Sequence, residues 1–168
     1  MTINTFSSSK TTASKLESSL NKNLKNLIVE SILGTGIDYG NSKTRGSLMI
    51  STGSGRKCQV KIWTAKEASD LEKNIRTFLN GADFDGEIAD LAVAYGNGKW
   101  RVMLTYYTTI SSATSSSTFR VTASDSGNTS SFDKTMDKNL KTGYTPVVYA
   151  YTYGKNKHRG ILIQGNSD

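Results

Sequence analysis

Three segments of this chain carry apolar residues at helical spacing, and each is followed by segments in which apolar and polar residues alternate. Leu16, Leu20 and Leu24 stand at i, i+4 and i+8; Leu71, Ile75 and Leu79 repeat that spacing, and Phe132, Met136 and Leu140 repeat it again. One apolar stripe of this period predicts an amphipathic helix with a single face on a core. Helices are therefore expected over 13–24, 68–79 and 130–140. Serine or threonine ahead of each stripe supplies an N-cap. Gly81 and Gly143 are expected to close the second and third helices as left-handed residues.

Short strands are expected before each helix, at Ile3–Phe6, Cys58–Ile62 and Phe119–Ala123, and two more after it. The pairs that follow are Leu27–Tyr39 with Arg45–Ser51, Ile88–Tyr95 with Trp100–Tyr107, and Val147–Tyr153 with Arg159–Gln164. Gly34 and Gly36 suggest a bulge or bend in the first of these. The fold class is accordingly α+β, three tandem β-α-β-β repeats with antiparallel sheets and helices on one sheet face. The boundaries are 1–52, 56–107 and 119–165, with a Ser/Thr-rich linker at 108–118 and one compact domain overall. Gly53-Ser54-Gly55 is expected to make a hairpin between 48–52 and 56–62. One helix and three strands are too few to bury a full core, so the repeats should share one or form a pseudo-threefold.

Between the paired strands the chain repeats a motif without a gap: YGNSKTR at 39–45, YGNGKWR at 95–101 and YGKNKHR at 153–159. Each fits Y-G-x-x-K-x-R and has a leucine three residues on (Leu48, Leu104, Leu162). The chain has 8 tyrosines and six arginines, so this pattern claims three of each, which composition alone does not do. Asn97-Gly98 is a strong two-residue hairpin signal, because a type I′ turn needs positive φ at both central positions. In that register Tyr95, Trp100, Val102 and Leu104 share one face, and Lys99, Arg101 and Met103 share the other. The tyrosine is expected to cap the core while lysine and arginine form a basic stripe on the outer face.

The net charge of +7 and a pI near 9.5 favour acidic partners such as nucleotides or nucleic acid, though positive charge also serves solubility. Mean hydropathy is −0.43, and no run is long and apolar enough to span a bilayer. The N-terminal residues lack the apolar stretch of a signal peptide, and Cys58 is the only cysteine. A cytoplasmic, reducing location is expected.

The candidate ligand-binding residues are those of the tips: Tyr39, Lys43, Arg45, Tyr95, Lys99, Arg101, Tyr153, Lys157 and Arg159. Arginine could hold phosphate or carboxylate with two parallel hydrogen bonds and lysine as a point charge. Tyrosine could stack on a base. The alternative is that these residues are turn chemistry and solubilising charge, with lysine discouraging edge-to-edge pairing.

Other residues carry less. His158 is the only histidine and reads as a solvated tip residue; Cys58 reads as a small core residue. Asp83, Asp85 and Glu87 match no calcium loop, and Gly34-Thr35-Gly36 lacks the Lys-Ser/Thr of a phosphate loop. Tyr106, Tyr107, Tyr149 and Tyr151 are read as sheet packing. With no nucleophile–base–orienter set, neither an enzyme, a metal nor a cofactor is expected. The sequence thus favours a non-enzymatic binder of an anionic ligand, nucleotide or nucleic acid, which could act by sequestering a small nucleotide. The alternative class is a structural or self-assembly protein, such as a viral one, that oligomerises through sheet edges.

The second repeat, KCQVKIWTAKEASDLEKNIRTFLNG with a strand pair ending RVMLTYY, resembles the small βαββ sporulation-associated proteins of spore-forming bacteria. In element order it is also similar to dodecins, the βαββ flavin-binding proteins. The resemblance covers about a third of the chain. It implies helices wrapped by sheets and a tendency to oligomerise, and it transfers no functional residue. The aromatic and glutamine of the dodecin flavin site have no assigned place here.

Overall fold

A computed structural model describes residues 1–108 and 117–167; most of the expected linker, from 109 to 116, lies outside the described residues. The elements are β1 (Thr2–Lys10), α1 (Ala13–Leu24), β2 (Val29–Gly40), β3 (Lys43–Thr52), β4 (Cys58–Ala65), α2 (Ala68–Leu79), β5 (Glu87–Gly96), β6 (Lys99–Tyr107), β7 (Ser117–Ser126), α3 (Thr129–Lys138), β8 (Thr145–Gly154) and β9 (Lys157–Ser167). The order strand, helix, strand, strand recurs. Each set forms its own antiparallel sheet with its last strand in the centre: β1-β3-β2, β4-β6-β5 and β7-β9-β8. The class is α+β. Each sheet with its helix is called a unit below.

The hairpins close as their sequences require. Asn41 and Ser42 have φ of 51° and 60°, Asn97 and Gly98 have 51° and 73°, and Lys155 and Asn156 have 50° and 62°. These are two-residue turns with both central residues left-handed, so Gly40 pairs with Lys43, Gly96 with Lys99 and Gly154 with Lys157. In β2 the register shifts twice between Val29 and Gly34, where the glycines suggested a bend.

Helix ends differ in part from the expected ones. Thr12 caps α1 and its hydroxyl accepts from the Lys15 N–H at 3.2 Å, whereas α3 is capped by the Asn128 side chain, which accepts from Ser131 N–H at 3.0 Å. Glu67 stands at the start of α2 without a side-chain cap, so a serine or threonine is not the general rule here. Gly143 is left-handed (φ 86°) but lies beyond α3, which stops at Lys138; Gly81 is not left-handed, and α2 ends with the Asn80 N–H donating to the Arg76 carbonyl and the Gly81 N–H to that of Phe78.

The expected hairpin at Gly53-Ser54-Gly55 does not form. Both edges of β3 are already taken by β1 and β2, so β4 leaves for a new sheet. The crossover is pinned where Arg56 and Val29 exchange backbone bonds of 3.1 and 2.9 Å, and a Cβ on Gly55 would fall 2.1 Å from the Val29 carbonyl oxygen.

The units pack in series. One core joins the α1 stripe, Val29, Leu48 and Ile50 to Cys58, Val60, Ile62 and Met103 of the second unit. A second joins the α2 stripe, Leu91, Val93, Trp100, Val102 and Leu104 to Val121, Ala123, Ile161 and Ile163 of the third. In the third unit Phe132, Met136 and Leu162 form a small cluster of their own. Each large core is shared by two consecutive units, and β2 packs on β5 and β5 on β8. Comparable packing of β2 on β8 is missing among the described residues, so the pseudo-threefold arrangement is not formed. The reason lies in β6 and β9: their alternate residues are apolar on both faces (Trp100 and Val102 against Met103; Leu162 against Ile161 and Ile163), so each sheet is covered from two sides.

Candidate functional site

The tips meet across units. The Arg101 guanidinium lies over the Tyr39 ring, 3.7 Å from its centroid, and Arg159 lies over the Tyr95 ring at 3.5 Å. Beneath each ring is the glycine of the same later tip. A Cβ on Gly96 would stand 2.7 Å from Tyr39 Cδ1, and one on Gly154 2.9 Å from Tyr95 Cβ. A tyrosine of one unit is thus clasped between the glycine and the arginine of the next. Three letters of the motif are explained by one contact.

Arg101 is 5% exposed and Arg159 is 4% exposed, so the outer basic stripe expected from strand alternation is not outer at these positions. The preceding unit covers that face of the sheet. Burial pushes the Arg101 guanidinium below its ordinary pKa, which a charged group tolerates only with polar partners. Arg101 donates to the Gly96 carbonyl, to the Lys99 carbonyl at 3.2 Å and to Thr44 Oγ1 at 3.0 Å. Arg159 donates to the Gly154 carbonyl at 3.0 Å and to the Asp125 carboxylate at 3.2 Å.

The two ends of the series lack a clasp. Arg45 has no tyrosine over it; it is exposed, bonds Asp38 at 2.8 Å, and has a pKa raised by that carboxylate. Its Nη2 occupies the place where a Cβ on Gly40 would be, 2.6 Å away. Tyr153 is 57% exposed. Lys43, Lys99 and Lys157 are exposed, with Lys157 3.4 Å from Asp125. The structure therefore brings four of the nine tip residues into two clasps, leaves Arg45 and Tyr153 outside any clasp and the three lysines exposed, and does not gather the nine in one pocket.

A second contact between units was not foreseen from the sequence. The Val60 N–H donates to Asn21 Oδ1 (2.8 Å), Asn21 Nδ2 donates to the Val60 carbonyl (3.0 Å), and the Ile62 N–H donates to Glu17 Oε1 (2.8 Å). At the next junction Asn80 makes the same pair of bonds with Phe119 (2.9 and 3.0 Å), and the Ala123 N–H donates to Glu72 Oε1 at 2.7 Å. The first two helical segments thus satisfy part of the free edge of the following sheet, which would otherwise present unpaired backbone groups. The available signal was the acidic residue directly after the first stripe position: Glu17, Glu72 and Asp133.

His158 is no solvated tip residue. It lies among aromatics, accepting from or donating to the Tyr151 hydroxyl through Nδ1 at 2.7 Å and 5.1 Å from the Tyr153 ring. Cys58 is a buried core residue, and desolvation raises its thiol to about pKa 12. Because the folded thiol holds its proton more tightly than the unfolded one, stability is fully present below the ordinary thiol pKa near 9. It is expected to fall as pH rises from there towards 12. Native protein at pH 8 should resist a thiol-reactive dye and react fully once unfolded; rapid native labelling would show that the site is open. Glu87 of the acidic loop is engaged by Arg56 at 2.5 Å. Among the described residues no helix is long and apolar enough to cross a membrane.

Comparison with protein-family models, with curated proteins and with solved structures finds no match to this chain.

Proposed function

We propose that this chain is a structural, self-assembling protein without catalytic activity, and that the Y-G-x-x-K-x-R tip is a clasp between stacked sheets. The observation that carries this reading is the burial of Arg101 and Arg159 on tyrosines of the preceding unit. An arginine held in this way has one guanidinium face on a tyrosine ring and its Nε and Nη1 donors engaged, and an anionic ligand would have to displace the tyrosine to reach that face. Assembly would use sheet faces, the surface by which the units already pack, in place of sheet edges.

A second reading keeps the anionic ligand, nucleotide or nucleic acid, at the first unit. It is favoured by a cavity of about 580 Å³ beside Arg45, with Ser7, Ser9 and Ser47 in its lining. The Asp38 carboxylate in the same wall opposes it. Titration with nucleotides and oligonucleotides at low and moderate salt separates the two readings. Under the assembly reading Lys43→Glu with Lys99→Glu changes nothing, since neither lysine belongs to a clasp. Saturable binding that weakens with salt and is lost in that double variant would establish the ligand reading instead, because phosphate contacts respond to charge.

A further inference from the structure

Each junction between units has a giving side and a receiving side, and among the described residues the first and third units leave one copy of each uncovered. The giving side is a helix stripe with the tyrosine of the strand beside it. The receiving side is the outer face of the next sheet, with the glycine and arginine of its tip. Register fixes the counterparts. Tyr39 and Tyr95, which are clasped, correspond to Tyr153, which is not; Arg101 and Arg159, which are covered, correspond to Arg45, which is not. Leu24 and Leu79, at 1% and 2% exposure, correspond to Leu140 at 50%, and Cys58 at 2% corresponds to Ile3 at 55%.

The distribution of exposed apolar side chains follows the same division. Among the described residues, the large ones are Met1, Ile3, Ile28, Leu33 and Met49 in the first unit and Leu140, Val147, Tyr149, Tyr151 and Tyr153 in the third. None belongs to the second unit, which has a neighbour on both sides. The two open faces differ in relief. On the third unit, Tyr149, Tyr151 and Tyr153 project, and a groove of about 360 Å³ lies between α3 and β8. On the first, serines and glycines leave the concavity beside Arg45.

We infer that copies of this chain join head to tail, the open face of the third unit of one copy receiving the open face of the first unit of the next. This rests on the assembly reading above and names its surface. Tyr153 takes the place between Gly40 and Arg45 of the next copy, as Tyr39 lies between Gly96 and Arg101. Arg45 then swings off Gly40 onto the ring. Asp133, in the position of Glu17 and Glu72, accepts from the Ser7 N–H of the next copy, the counterpart of Ile62. Leu140 meets Ile3. The occupant is a second copy because the internal junctions already display this pairing twice. Such a contact is heterologous, so it continues into a ring or a fibre.

Sedimentation velocity on the full chain tests this with two variants, Arg45→Glu blocking the receiving side and Tyr153→Asp blocking the giving side. Both residues are exposed in the single chain, so the circular dichroism spectrum should match wild type, and Gly40→Ala provides a milder receiving-side block. Wild type is expected to sediment above the monomer, and each variant alone to lose assembly completely. An equimolar mixture of the two is expected to form a dimer and stop there, since one intact face of each kind remains. A mixture that stays monomeric, or oligomers that persist in both variants, overturns the head-to-tail junction; persistence still leaves an assembling protein. Wild type that is monomeric at its highest soluble concentration overturns the junction and the assembly reading together.

Discussion

Arg101→Ala is expected to destabilise the folded chain by roughly 2–4 kcal/mol, combining lost charged hydrogen bonds with the loss of the ring contact. The guanidinium has three polar partners and the Tyr39 ring, all left facing a void in the variant. Part of this loss is returned because a buried charge is no longer held out of water. Urea unfolding followed by circular dichroism measures it as a lower midpoint at constant slope. Lysine at the same position should recover little, since it lacks the planar fork. Arg45→Ala, at the one tip whose arginine has no tyrosine over it, should leave the midpoint of the unassembled chain where it is. If the midpoint of Arg101→Ala also stayed in place, the arginine would be a surface residue in function, and the ligand reading of the tips would regain its footing.

Replacing Trp100 by alanine should cost about 3–5 kcal/mol, the usual loss for a large aromatic removed from a closed core. Trp100 is fully buried between the second and third units, 6.4 Å from the Tyr95 ring and 5.4 Å from the Arg159 guanidinium. Serial packing adds a regional expectation. Amide hydrogen exchange should accelerate in β6 to β9 and remain closer to wild type in β1 and α1, whose core is a separate one. Equal acceleration in all three sheets would mean that the two cores open as one.

The local elements were legible in the sequence because each depends on a short-range rule. Stripe spacing located α1 and α2 to the residue, and Asn97-Gly98 fixed both the turn and the pairing of Tyr95 with Trp100. What strand alternation could not say was which face of a sheet meets solvent. It put Arg101 and Met103 together correctly, and the error lay in calling their face the outer one. Only Met103 hinted that this face was covered, and one methionine is a weak sign. The GSG hairpin failed for a related reason: a turn signal reports that the chain reverses and cannot report that the neighbouring strand has no free edge. The glycine of the motif has a role the sequence did not show: at Gly96 and Gly154 it is the only residue thin enough for a tyrosine ring to lie against. The arginine–tyrosine pairing itself was invisible, because it joins residues of consecutive tips more than fifty positions apart.

Every strand pairs with strands of its own unit alone, and this bears on how the chain acquires its shape. Ladder formation never has to wait for a distant part of the polypeptide, which keeps loop-closure costs low and favours fast, stepwise ordering. During synthesis the first sheet can be complete before the second emerges, and it then serves as the template on which the next is laid. Growth of this kind has a direction, from the amino end to the carboxyl end.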